Sequence, residues 1–173
     1  MLFEQEDQAY RQAVQKAMDY LSVRDHASGE LYDKLCKKAE LPPEAAAAAI
    51  ARCVELGLLN DAVFAQRRAK YLLARKKSPA QIRTHLQEKG IDRQTANQAV
   101  EELFEEQSPV QTIYELIQKS YARKLLAGKK QAVIAAMARR GFSFGDVKQA
   151  IAQFEEEHAV EDTWQEEWQP DWE

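Results

Sequence analysis

Cysteine, glycine and proline are scarce in this sequence, with two, six and five residues, and it has no long apolar run. Cys36 and Cys53 have neither metal-ligand spacing nor partners for a disulfide framework, and sit among apolar residues as small hydrophobes. No stretch approaches the ~20 apolar residues that a membrane-spanning helix needs. Met1 to Asp7 is acidic and lacks the basic and apolar regions of a signal peptide. A reduced, cytoplasmic protein with no membrane partner is expected. His26, His85 and His158 share no helical spacing, which argues against a metal site. Gly128-Lys129 lacks the first glycine and the following Ser/Thr of a phosphate loop. No Ser/His/Asp or paired-carboxylate constellation falls on matching helix faces. Neither an enzyme nor a cofactor is expected.

What the sequence does have is helix-forming composition: Ala, Glu, Lys, Arg, Gln and Leu dominate, with 45% hydrophobic and 30% charged residues. The net charge of −4 hides a division. Nine of the 28 carboxylates lie in residues 155–173, which contain no Lys or Arg. The preceding 154 residues keep 19 acidic against 24 basic side chains, a body of +5 with an acidic tail.

Tyr10, Val14, Ala17 and Leu21 mark one face of a first helix. Ser28 is placed to cap a second, carrying Leu31 and Leu35, and Pro43 opens a third that stops at Gly57. The joint from Gly57 to Ala65 ends one helix and starts the next, with Asn60 or Asp61 as its cap. It sets the angle between successive units. Ser78-Pro79-Ala80-Gln81 and Ser108-Pro109-Val110-Gln111 are capping-box sequences with proline at the first helical position.

The apolar frame recurs. Leu31-x3-Leu35-x5-Leu41-x8-Ile50 is followed by Ile82-x3-Leu86-x4-Ile91-x8-Val100 and then by Val133-x3-Met137-x4-Phe142-x8-Ile151. Leu31 to Ile82 and Ile82 to Val133 are each 51 residues apart. Gly90 and Gly141 stand at matching places, whereas the first copy has Ala39-Glu40-Leu41 and one extra residue. A helical period near 50 predicts a curved array of repeats, each burying its face on its neighbours. The expected fold is all-α, with three-helix repeats at 1–59, 60–107 and 108–157 and an acidic tail at 158–173.

Tyr20-Leu21-x2-Arg24-Asp25-His26-x-Ser28-x-Glu30-Leu31-x2-Lys34-Leu35 and Gly57-Leu58-Leu59-Asn60-Asp61-x2-Phe64-Ala65 are the most specific motifs. With Ile82-x3-Leu86-x2-Lys89-Gly90-Ile91 and Arg139-Arg140-Gly141-Phe142, they resemble RecX, the family of bacterial regulators of the RecA recombinase. The resemblance covers about residues 10 to 154. It implies an elongated protein of three tandem three-helix units, lying in the groove of the RecA–DNA filament. It also implies suppression of RecA's ATPase, strand-exchange and co-protease functions, and so regulation of DNA repair, recombination and the SOS response. Arg123 to Lys130 matches the pattern loosely, and the tail after Phe154 is an extension to it.

Basic residues concentrate in the second and third repeats. The candidate contacts are Arg67, Arg68, Arg75, Lys76, Lys77, Arg83, Lys89, Lys129, Lys130, Arg139 and Arg140. Their density fits a footprint for a polyanion, either DNA phosphate or an acidic protein surface. The competing reading is a set of solvated helix faces. The expected partners are the RecA filament and single- and double-stranded DNA, bound electrostatically and without sequence preference by a monomer. The alternative is a helix-turn-helix transcription regulator. Arg24 and Arg75 stand at equivalent helix ends, where they would close the helix hairpin onto carbonyls, and Tyr20 and Tyr71 are matched positions expected in the core. Trp164, Trp168 and Trp172 form one stripe if helical, interrupted by Pro170. This tail reads either as a detachable cover for the basic surface or as a segment that packs on the body or stays disordered.

Overall fold

The computed structural model of the chain describes the backbone of residues 2–167 and the side chains of residues 6–159. The described residues form ten helices and no strand: α1 (Leu2–Val23), α2 (Ser28–Lys37), α3 (Pro43–Glu55), α4 (Asp61–Ala74), α5 (Pro79–Glu88), α6 (Arg93–Glu106), α7 (Pro109–Ser120), α8 (Ala122–Leu126), α9 (Lys130–Arg139) and α10 (Phe144–Glu167). The all-α class expected from composition is the one adopted. The chain divides into two compact units. Unit 1 comprises Met1–Tyr71 with Arg83–Leu103, and unit 2 comprises Leu72–Ile82 with the residues from Phe104 onward.

In unit 1, α1 packs on α3 and both meet α2. The contact is built from small side chains: Ala13 and Ala17 of α1, and Ala45, Ala46 and Ala49 of α3, join Leu31, Leu35, Cys53 and Leu59 in one buried cluster. The face of α1 is therefore centred on Ala13 and Ala17, while Tyr10, Val14 and Leu21 are only half-buried at its margins. Methyl-sized groups let the two helices approach closely, and larger residues are left to line the seam. In unit 2, α7 packs on α10, which also meets α9. Its core joins Ile113, Ile117, Val133, Met137, Phe142, Val147, Ile151 and Phe154, so the whole third copy of the apolar frame is buried. The short α8 packs between α7 and α9 in the loosely matched Arg123–Lys130 region, burying Leu125.

The helix ends refine the expected caps. Gly57 takes φ +70° and ends α3, with the Leu58 and Leu59 N–H groups donating to the Cys53 carbonyl. Asn60 caps α4, its Oδ1 accepting from the Val63 N–H at 3.1 Å. Asp61 does something else. Its carboxylate accepts the Ser28 N–H at 2.8 Å, so the first turn of α2 is capped from 33 residues away. Ser28 is thus not the cap; Ala27 holds that position and has no side chain with which to do it. Ser78 and Gln81 form the full reciprocal capping box, at 3.2 and 3.3 Å. At Ser108 only half of the box forms: the hydroxyl accepts from the Val110 N–H, while Gln111 donates forward to Glu115.

The 51-residue period reappears as a repeated contact. Gly29 at the start of α2 lies against Gly90 at the end of α5, so closely that a Cβ on either would meet backbone atoms of the other at 2.6 Å. One period on, Gly141 after α9 lies against Ser78 and Ala80 at the start of α5. Gly90 and Gly141 both have φ near +80°, and Glu40 takes φ +54° at the corresponding turn of the first copy. Glu40 is exposed, so its side chain has room that Gly90 lacks.

Ser78 is fully buried and also donates its hydroxyl to the Arg140 carbonyl at 2.7 Å. Ser78→Ala removes a cap and leaves that carbonyl without its donor. Melting should show a loss of about 2 kcal/mol, against about 1 kcal/mol for Ser108→Ala, which removes a cap alone. Equal losses would mean that the Arg140 bond adds nothing.

The boundary drawn at 157/158 falls inside α10, which continues to Glu167. At the start of the acidic segment, Glu155 pairs with Lys130 at 2.9 Å and Glu157 accepts from the Tyr114 hydroxyl. The tryptophan stripe and Pro170 lie outside the described side chains.

Candidate nucleic-acid interface

Helix α4 carries Phe64, Arg67, Arg68 and Tyr71, the last three standing three, four and seven residues after Phe64, one stripe with two arginines between two aromatic rings. Arg24 and Asp25, from the loop after α1, and Lys89, just after α5, complete the lining of a groove of about 470 Å³. All seven residues belong to unit 1. Four are cations and one is an acid.

Each charged group in the groove has a partner that holds it. Glu30 accepts two bonds from the Arg24 guanidinium, at 2.7 and 3.1 Å, and one from Lys89 at 3.3 Å. Its side chain is only 16% exposed. Hydrogen bonding from Arg24, followed by the nearby charge of Arg24 and Lys89, outweighs burial and holds its carboxyl at about 2. The same pair raises the Arg24 guanidinium above its usual value. Arg24 also donates to the Asp25 carbonyl at 2.9 Å, so the carbonyl-closing role expected from sequence is only part of what it does. Arg67 meets Asp25 at 3.0 Å, with both side chains about 70% exposed. A pair that open to water is worth at most ~1 kcal/mol and exchanges readily for another anion. Arg68 donates through Nε to His85 Nε2 at 3.0 Å and lies 5.0 Å from the centroid of the Tyr71 ring.

Below the groove, His26 fixes the loop that carries Arg24. It is 3% exposed, with Nδ1 2.9 Å from the Arg24 carbonyl and Nε2 2.7 Å from Lys34 Nζ. Lysine can only donate, so Nε2 accepts and Nδ1 carries the proton given to the carbonyl. Burial, above all, pushes the imidazole pKa down.

These shifts set the pH dependence. Glu30 is depressed from the usual 4.5 to about 2, so its stabilisation is present above 4.5 and lost as pH falls toward 2. The depressed His26 loses stability earlier, as pH falls through the ordinary imidazole range, because the unfolded chain takes up the proton first. Denaturant midpoints against pH should fall in two stages on acidification. Glu30→Gln should shrink the lower stage, leaving the part that the depressed Asp92, Glu102 and Glu115 carboxyls contribute, and keep the upper one.

Of the residues expected from sequence, the structure brings Arg67, Arg68 and Lys89 into one groove. Arg83, also in unit 1, is half-buried and does not line it. The remaining candidates belong to unit 2. Lys76 adopts a left-handed backbone and its ammonium pairs with Glu115, and Lys130 pairs with Glu155. Arg140 lies 6.0 Å and Lys124 5.6 Å from the Tyr121 ring centroid. Arg75, Lys77, Lys129 and Arg139 are exposed. Sequence reasoning missed Arg24 as a groove cation, and Phe64 and Tyr71 as lining. Tyr71 was expected in the core and is instead 45% exposed; Leu72 and Leu73 beside it take the buried positions. The stripe from Phe64 to Tyr71 was the signal that could have found it.

The chain is similar to several known proteins. Residues 13–53 match the family model for the first three-helix domain of RecX, and residues 60–100 match that for the second. The regulatory protein RecX of Bacillus subtilis (strain 168) is 34% identical over 152 residues, 83% of this chain and 55% of its own. Its counterpart in Pseudomonas syringae pv. tomato is 36% identical over 86 residues, 50% of this chain and 55% of its own. The chain thus spans about half the length of these two relatives. That of Pseudomonas savastanoi pv. phaseolicola is 33% identical over 109 residues, 63% of this chain and 68% of its own. In fold, the chain is similar to the crystal structure of RecX from Lactobacillus salivarius, with a TM-score of 0.78 at 22% identity, covering 86% of this chain and 98% of that one.

Proposed function

The chain belongs to the RecX family of regulatory proteins, and from that membership and the basic groove we propose that it is a non-catalytic negative regulator of the RecA recombinase. It binds the RecA–DNA filament and suppresses the filament's ATPase, strand-exchange and co-protease activities, and so acts in DNA repair, recombination and the SOS response. It works in the cytoplasm as a monomer, with repeats at 1–59, 60–107 and 108–157 as its functional divisions, the last holding α7, the short α8, α9 and the first part of α10.

The observation that carries this reading is the groove of Arg24, Arg67, Arg68 and Lys89 around Tyr71. Four cations converging on one groove can take phosphates from a strand's backbone, and phosphate contacts supply affinity without reading sequence. Arg67, held only by an exposed pair, can exchange Asp25 for a phosphate at little cost. Occupying the filament in this way needs no catalytic group. A helix-turn-helix transcription regulator fits less well, because the groove cations come from three separate segments and not from one recognition helix.

The deciding experiment is RecA's DNA-dependent ATPase with substoichiometric added protein. Inhibition is expected, and its absence would remove the proposal. Footprinting on duplex DNA without RecA should give no sequence-specific protection; such protection would favour the transcription regulator.

A further inference from the structure

The proposed function treats the groove as a bed for phosphates, yet its lining includes two aromatic side chains that phosphates do not need. Tyr71 is 45% exposed although Leu72 and Leu73 beside it are buried, and the Arg68 guanidinium lies 5.0 Å from its ring centroid. Arg68 is itself steadied by the bond to His85. Phe64 lies two turns back on the same helix and lines the same groove. At about 470 Å³ the groove is within the range of sites that take a small molecule.

We propose that this groove is a subsite for single-stranded nucleic acid, in which an unstacked base lies against the Tyr71 ring while Arg67, Arg24 and Lys89 meet the flanking phosphates. The inference rests on the reading of the groove as a DNA contact and adds which form of DNA it takes. A base offers its face to an aromatic ring only when it has left its own stack. In a duplex both faces are already covered, and exposing one requires unpairing and unstacking it. Phosphates are present in either form. The cations therefore bind both, and the ring distinguishes them. Every base has a face, so the preference is for strandedness and not for sequence.

The arrangement of charge agrees. Glu30 holds Arg24 and Lys89 at fixed positions on the groove wall, whereas Arg67 sits on an exposed pair that a phosphate can displace. One side of the groove is preformed and the other adapts, as an irregular single strand requires.

The test is fluorescence anisotropy with the full chain, labelled oligodeoxythymidylate and a labelled duplex of equal length, each across a salt series. Tyr71→Ala should weaken single-strand binding about 10-fold, leaving duplex binding and both salt slopes unchanged. Tyr71→Phe should bind as the parent does. Ultraviolet crosslinking of bromodeoxyuridine-substituted single strands should label the peptide containing Tyr71. Arg67→Glu should weaken both DNA forms. If Tyr71→Ala weakens both forms equally or neither, while Arg67→Glu weakens both, the subsite is wrong and the groove stands as a phosphate contact. If Arg67→Glu weakens neither, the reading of the groove fails and the subsite with it.

Discussion

Gly90→Ala should destabilise the chain by about 3 kcal/mol or more, the largest loss expected from any single added methyl group. Two costs combine there. A residue with a Cβ pays roughly 1–2 kcal/mol in the left-handed region, where Gly90 sits at φ +81°. The added carbon would also stand 2.6 Å from the Gly29 Cα, and forcing atoms into such a contact costs about 1–3 kcal/mol or displaces the backbone. Gly57 and Gly128 separate the two costs. Both have φ near +70°, but a Cβ there would meet nothing within 4 Å, so alanine should cost only about 1 kcal/mol. Gly29→Ala isolates the other cost. Its site is helical, where alanine would ordinarily gain roughly 1 kcal/mol, yet it should lose about 2 kcal/mol through collision with the Gly90 carbonyl. Urea melts of the four variants give the ranking. If Gly90→Ala were no worse than Gly57→Ala, the backbones at 29 and 90 would not be in tight contact.

That ranking shifts the weight from the Gly57 joint to the Gly29–Gly90 contact. Periodicity makes much of the fold legible: the apolar frame marks Ile82, Leu86, Ile91 and Val100, and all four are buried. It could not show what Gly29 is for. A single glycine in the first turn of a helix looks like a small propensity defect, and only its neighbour 61 residues later explains it. Nor could spacing reveal that Asp61 serves α2, because a carboxylate at a helix start satisfies the local rule equally well. Local chemistry is read from sequence; long-range contacts between helix ends are not.

The site was legible to the same degree. Arg67 and Arg68 stand out as a basic pair on a helix whose phase is clear. Joining them to Arg24 and Lys89 requires knowing that Glu30 draws the loop after α1 and the end of α5 together. Tyr71 was misplaced because Tyr71-Leu72-Leu73 offers three consecutive apolar candidates for a face that takes two.

Reversing Arg67 and Arg68 together to glutamate should lower DNA affinity about 100-fold near 0.1 M salt, for single and double strands alike, and flatten the dependence of log K on log salt by about two. The expectation follows from what each arginine now does. Arg67 has only an exposed pair to lose, so its reversal costs little stability and acts mainly on binding. Arg68 gives up its bond to His85, a loss of about 1 kcal/mol that leaves the fold in place. Lys89 is the poorer choice, because a carboxylate there would face the nearly buried Glu30 and unfold what it was meant to probe. Lys129→Glu with Arg139→Glu, two exposed cations of unit 2, makes the same charge change away from the groove lining. If the groove is the DNA contact, this second pair should alter affinity by less than about 10-fold, as general field effects do. Equal losses from the two pairs would mean that net charge and not the groove governs binding. On the proposed reading of the chain as a RecA regulator, inhibition of the RecA ATPase should fall with the first pair and persist with the second, since suppression by occupation would require the contact that occupies.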